Sequence, residues 1–91
     1  MADLTHEETI LYAEILRKKK AITAAVRYGE YHFSCVHTDD LGQVWIHATA
    51  IQASRRRFQG FPVHLMVRYF RSDSRRFEVV GDDGDWWVRA M

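Results

Sequence analysis

The sequence predicts an α+β fold, with an N-terminal helix packed on one face of a twisted, mainly antiparallel five- or six-stranded meander sheet. Three observations carry that expectation. Thr5 and Glu8 have the spacing of a capping box and precede apolar residues at helical intervals. Several later stretches alternate apolar and polar side chains with a period of two. Asp83-Gly84 separates two such stretches and is a strong hairpin signal.

Composition bounds the answer. The 91 residues, 47% hydrophobic and 13% aromatic, suit one globular domain spanning 1–91 and not a disordered tail. Cys35 is the only cysteine, which rules out an internal disulfide and favours a reducing compartment. No apolar run is long enough for a signal peptide or a membrane span. A cytoplasmic protein with no membrane partner is the expectation. Thirteen Lys plus Arg against twelve Asp plus Glu leave a net charge of +1, so charge alone makes no case for nucleic acid. Lys18, Lys19 and Lys20 are the only lysines, leaving ten arginines, a bias that suits recognition of planar anions.

From Asp3 to about Lys20 the helical reading is direct. Leu11 and Ile15, with Tyr12 and Leu16 beside them, form an apolar stripe. Arg17 to Lys20 place positive charge on the last turn, where it complements the helix dipole and faces solvent. Residues 21–28 admit two readings. Three alanines and Gly29 would let the helix continue. Ile22, Ala24, Val26 and Tyr28 also alternate, and a Gly29-Glu30 turn would pair them as a strand with Tyr31 to His37. The strand reading agrees with the register of the next pair and is the one adopted.

Tyr31 to Ile51 reads as two strands joined at Thr38 to Gln43. Phe33 would lie opposite Ala48 and Cys35 opposite Ile46 on the buried face, with Ser34 opposite His47 on the other. A slip of one residue would mix the two sets. Arg55, Arg56 and Arg57 fall in a connection closed by Gly60. Pro62 then opens a strand in which Val63, Leu65, Val67 and Tyr69 face inward and His64, Met66, Arg68 and Phe70 outward. The Asp83-Gly84 turn pairs Val79 with Val88 and sets Glu78 against Arg89, opposite charges that support the register.

The outward sheet face is where function is expected. It would carry Arg27, His47, His64, Met66, Arg68, Phe70, Trp45 and Trp87, more apolar and aromatic surface than a solvated face normally shows. Either a partner covers it or the sheet curls and covers part of it within the monomer. The reading adopted is a non-enzymatic protein-binding module using those eight residues, of the kind found as small stand-alone phage or mobile-element inhibitors. Self-association as a homodimer is a further option. A nucleic-acid or nucleotide binder is the alternative, with Trp45, Phe70 and Trp87 stacking bases and Arg55, Arg56 and Arg57 contacting phosphates. A small metal-free ribonuclease using His47 or His64 is the second alternative. No cofactor, metal ligand set or catalytic motif is expected, since no His-x3-His pair, nucleophile motif or phosphate loop is present.

Overall fold

The computed structural model describes residues 3–91. Among them are four α-helices, two short 3-10 turns and one four-stranded antiparallel sheet. The α+β class and the antiparallel sheet are as expected. The strand count, the meander order and the docking of the first helix are corrected below.

The N-terminal helix α1 (His6–Arg17) starts as the capping box dictates. Thr5 Oγ1 accepts from the Glu8 N–H, and Glu8 Oε1 accepts from the Thr5 N–H, at 3.1 and 3.0 Å. Two orphan amides are satisfied reciprocally. The helix stops at Lys18, whose φ of −103° and ψ of 13° redirect the chain into α2 (Lys19–Tyr28). Residues 21–28 are therefore helical, not the strand adopted from the sequence. Ile22, Ala25 and Val26 are buried at i, i+3 and i+4, a spacing that one side of a helix serves and a strand does not. Because the helix breaks at Lys18, none of the four consecutive cations has to enter the core: Arg17, Lys19 and Lys20 are exposed and Lys18 is half-buried. Helix α1 packs on α4 and, less extensively, on α2. It is thus an outer element, not the one laid directly on the sheet.

The sheet holds β1 (Val36–Thr38), β2 (Val44–His47), β3 (Phe77–Asp82) and β4 (Asp85–Ala90) in the order β1-β2-β4-β3. Two hairpins thus meet through β2 and β4, and this is not a meander. The expected strand from Tyr31 is reduced to three residues, preceded by a 3-10 turn at Phe33–Cys35. Its register is Val36↔Ile46 and His37↔Trp45, one residue away from the expected Cys35 opposite Ile46. The cause is the loop. Asp39 Oδ1 accepts from the N–H groups of Leu41 and Gln43, both at 2.9 Å, and Gly42 takes a φ of 76°. That closes the connection over residues 39–43 and reverses the inside–outside phase of β1.

The second half of the expected strand 44–51 is also rebuilt. After His47 the chain enters helix α3 (Ala48–Ala53), whose first turn is capped by the His47 imidazole accepting from the Thr49 N–H. The stretch after Pro62, expected as a strand, is helix α4 (Val63–Ser72). Leu65, Met66, Val67, Tyr69 and Phe70 are all buried there. An alternating strand would send Met66 and Phe70 to the face opposite Leu65, whereas a helix turns all five to one side. Pro62 stands just before α4, where its missing N–H costs no intrahelical bond.

The C-terminal hairpin matches its expectation. Asp83 and Gly84 have φ of 47° and 87°, a type I′ pair, and the register includes Val79↔Val88 and Glu78↔Arg89. Gly81, at φ 108°, also has to be glycine, because a Cβ there would meet the Asp85 carbonyl oxygen at 2.0 Å.

The sheet is open and has one covered face. Ile46, Val88 and Phe77 are buried against Ile15, Ile22, Ile51, Phe58, Leu65, Met66 and Phe70 from the helices and the 3-10 turn at Arg56–Phe58. Tyr69, Phe70 and Phe77 form a ring cluster with centroids 4.8–5.9 Å apart. At about 25 cal/mol per Å² of apolar surface removed from water, such a cluster dominates the favourable side of folding. Its one imperfection is the Tyr69 hydroxyl, enclosed with no hydrogen-bond partner. Burial raises the pKa of that phenol, and the nearby Thr23 hydroxyl, which itself donates to the Lys19 carbonyl, acts in the opposite direction. None of the described helices is long and apolar enough to cross a membrane.

Candidate functional site

The opposite face of the sheet carries the side chains that alternate with the core positions. Cross-strand rows follow from the register: His37, Trp45, Arg89 and Glu78 in one, His47, Trp87 and Val80 in the next, Asp85 and Asp82 at the hairpin end. Neither Trp45 nor Trp87 belongs to the core cluster that the helices cover. Indoles and imidazoles in place of short polar residues make this face unlike an ordinary solvated one.

Each member is held by a named contact. Trp45 is 8% exposed although it stands outside the core cluster that the helices cover. Its Nε1–H donates to Asp39 Oδ2 at 3.0 Å, and the Arg89 guanidinium carbon sits 5.6 Å from its ring centroid. Arg89 in turn donates from Nη2 and Nε to Glu78 Oε1 at 2.7 and 3.2 Å. The Trp45 N–H and the two backbone donors of the loop hold the Asp39 carboxyl below its ordinary pKa of 3.8, with the indole contact the largest cause. Asp39 is therefore a fixed anion at neutral pH.

Trp87 is half-buried, and two imidazoles flank it edge to face. His47 lies at 5.0 Å with an interplanar angle of 86°, His37 at 6.2 Å and 63°. His47 is itself fixed at both nitrogens. Nδ1 receives the Thr49 N–H and meets the Thr49 hydroxyl at 2.6 Å, while Nε2 lies 2.9 Å from Asp85 Oδ1. With Nδ1 accepting, the proton of the neutral ring belongs on Nε2, where it is donated to Asp85. Between Trp87, Trp45, His37, Val80 and Asp39 runs a cleft of about 460 Å³.

The residues expected on one outward face do not all meet there. Trp45, Trp87 and His47 do. Met66 and Phe70 are 0% exposed and part of the core, a correction that follows from α4 being a helix. Arg68 and His64 also ride on α4, on the covered side of the sheet. His64 Nε2 lies 2.9 Å from Glu8 Oε2 on α1, a contact that lowers the Glu8 pKa. His47 and His64 are thus on opposite sides of the sheet and do not share a site. Arg27, on α2, donates to the Met91 carbonyl at 3.0 Å. Arg55, Arg56 and Arg57 are exposed between α3 and α4 and form no ion pair among the described residues. Asp39, His37 and Arg89, with Glu78 and Val80, are among the members of the face that the expected contact set lacked. Alternation from Trp45 and Trp87 already reached Arg89; His37 and Asp39 needed the loop length of the first hairpin.

Chemically the face offers a half-exposed indole in a frame of fixed carboxylates, imidazoles and one paired guanidinium. Among the described residues no group of three or more His, Cys, Asp or Glu side chains converges on a metal-sized position. The class defined so far is a small α+β domain with one face of an open antiparallel sheet left to solvent. No family model, curated protein or solved structure matches the chain.

Proposed function

We propose that the protein is a non-enzymatic protein-binding module that docks its partner on the open face of the sheet, with Trp87 at the centre of the contact. The observation that supports this reading is an indole left half-exposed on a sheet face that no helix covers. Tryptophan in the middle of a patch, ringed by groups that exclude water, is the residue most often found to dominate protein–protein affinity. The surrounding side chains are already immobilised by their bonds to one another, so little rotamer entropy remains to be lost on docking. Trp45 and Arg89 support the surface, His47 and His37 flank the contact, and Val80 extends its apolar part.

A rigid face of this kind suits a small inhibitor that occupies the working surface of a larger protein. Nucleic acid suits it less well. The one arginine beside the exposed indole, Arg89, is neutralised by Glu78, and the surrounding groups are carboxylates that would repel phosphate.

The test is affinity capture from the native host with wild-type protein and with Trp87→Ala, followed by reconstitution from purified components. The expected result is a defined protein held by the wild type, weakened at least tenfold by Trp87→Ala, with the melting temperature of the variant near that of the wild type. A partner bound equally well by Trp87→Ala would overturn the reading.

A further inference from the structure

We infer that the cleft beside Trp87 receives a cationic side chain, the guanidinium of arginine or the ammonium of lysine, presented by a segment of the partner protein. The inference rests on the docking reading above and adds the chemistry of what is docked. Four features of the cleft carry it.

Its walls are aromatic and its one charged lining group is negative. Trp87, the edge of Trp45 and His37 supply ring surface, Val80 an aliphatic wall for a methylene stem, and Asp39 a carboxylate. A cation within about 6 Å of an indole face is attracted by the ring quadrupole, more strongly as water is excluded.

The Asp39 carboxylate is prepositioned. Leu41 N–H, Gln43 N–H and Trp45 Nε1–H occupy three of its acceptor positions at 2.9–3.0 Å. A carboxylate has about four such positions, so one remains for an incoming N–H donor. Nothing has to reorder for that bond to form, and the carboxyl stays ionised well into acid.

The same recognition already exists once within the face. Arg89 lies over Trp45 at 5.6 Å and is clamped by Glu78 at 2.7 Å. An indole, a guanidinium and a carboxylate are there assembled from three neighbouring strands. Trp87 and Asp39 offer the indole and the carboxylate of a second such set, with the cation missing.

Charge excludes the opposite assignment. The acidic residues of the face are Asp39, Glu78, Asp82 and Asp85 against Arg89 as the one Arg or Lys; Glu78 and Arg89 pair with each other, which leaves an excess of carboxylates. A phosphate or an acidic peptide would meet a surplus of like charge.

The experiment uses three fluorescein-labelled decapeptides, (Gly-Arg)5, (Gly-citrulline)5 and (Gly-Glu)5, and a thymidine decanucleotide. Anisotropy reports binding, and the Trp87 indole N–H resonance reports its place. Citrulline keeps the planar shape of arginine and three of its five N–H donors, puts a carbonyl oxygen in place of one nitrogen, and lacks the charge. The expected result is saturable binding of (Gly-Arg)5 that shifts the Trp87 signal. Its affinity should exceed that of the citrulline peptide at least tenfold and fall at least tenfold in Trp87→Ala. Because Asp39→Asn also disturbs the first hairpin, Val80→Lys serves as the second variant. It places a tethered ammonium at the cleft wall of a residue 44% exposed, and should weaken (Gly-Arg)5 comparably without loss of fold. Glu30→Gln, which removes a carboxylate away from this face, should leave the affinity unchanged.

Equal binding of arginine and citrulline peptides, no binding of either, or binding insensitive to both Trp87→Ala and Val80→Lys would each overturn the cation assignment. If (Gly-Glu)5 or the oligonucleotide binds instead and still depends on Trp87, the docking face survives and its ligand charge is the reverse of that inferred. If no probe depends on Trp87 and the captured host protein does not either, the docking reading itself fails.

Discussion

The two faces of this sheet solve the same problem with different chemistry. On the covered face, Ile46, Val88 and Phe77 lose their contact with water to helices that bring more hydrocarbon and rings. On the open face, Trp45 reaches a similar degree of enclosure with no helix at all, wedged between Asp39 and Arg89. The first arrangement is non-directional and tolerates exchange among apolar residues of equal volume. The second is directional, since each ring position depends on a specific donor or acceptor, and it leaves one ring, Trp87, only partly enclosed. Burial by apolar packing specifies a fold; burial by a polar frame specifies a surface.

That contrast can be broken at several points, and the covered face should give way first. Phe70→Ala removes a fully buried ring from the Tyr69–Phe70–Phe77 cluster and should cost about 3–5 kcal/mol in denaturant unfolding. On a domain whose total stability is of order 5–15 kcal/mol, that removes between about a fifth and nearly all of the margin. Trp45→Ala should cost less, about 2 kcal/mol, because Arg89 and Asp39 are only half-buried and can be rehydrated once the ring is gone. A loss as large as that of Phe70→Ala would mean that the open face contributes to the fold as much as the core does.

Tyr69→Phe carries the opposite sign. Removing the enclosed, unpartnered hydroxyl should leave packing intact and raise stability by about 1 kcal/mol. A destabilised variant would reveal a partner for that oxygen. Trp87→Ala should move the unfolding free energy by no more than about 1 kcal/mol while abolishing partner binding, which separates surface from scaffold.

The smallest effect is acid dependence. Asp39 has its folded-state pKa lowered below 3.8 by the Trp45 N–H and the loop amides. Its stabilising contribution is therefore complete above the unfolded value and is lost as pH falls through the lowered folded value. The melting temperatures of wild type and Asp39→Asn should differ at neutral pH and converge as the pH falls through the lowered folded-state value. A gap that persists in acid would mean that the carboxylate charge is not what holds the loop.

What could be read in the sequence follows the same division. The C-terminal hairpin was legible because its turn chemistry is local: Asp83-Gly84 at positive φ fixes the register, and Glu78 then meets Arg89. The capping box at Thr5 and Glu8 was legible for the same reason. Helix α4 was misread because Val63, Leu65, Val67 and Tyr69 alternate as a strand would. The competing signal, apolar residues at 65, 66, 69 and 70, becomes decisive only when both of its halves must be buried together. The register of the first hairpin failed by one residue because the Asp39 side chain shortens the loop, a bond that no periodicity encodes. Three of the eight expected contact residues survived that slip. Trp45, His47 and Trp87 lie on strands β2 and β4, whose alternation was right; His64, Met66, Arg68 and Phe70 were lost with the strand that was not a strand, and Arg27 lies on a helix.

His47 joins the two worlds in a single ring. One nitrogen closes the first turn of α3, whose Ala48 and Ile51 lie in the interior, and the other edge props Trp87 and reaches Asp85. Anything that levers the indole aside therefore pulls on the opening turn of a helix that has Ala48 and Ile51 in the core. Grip at the outer wall and order in the middle of the molecule share one hinge pin.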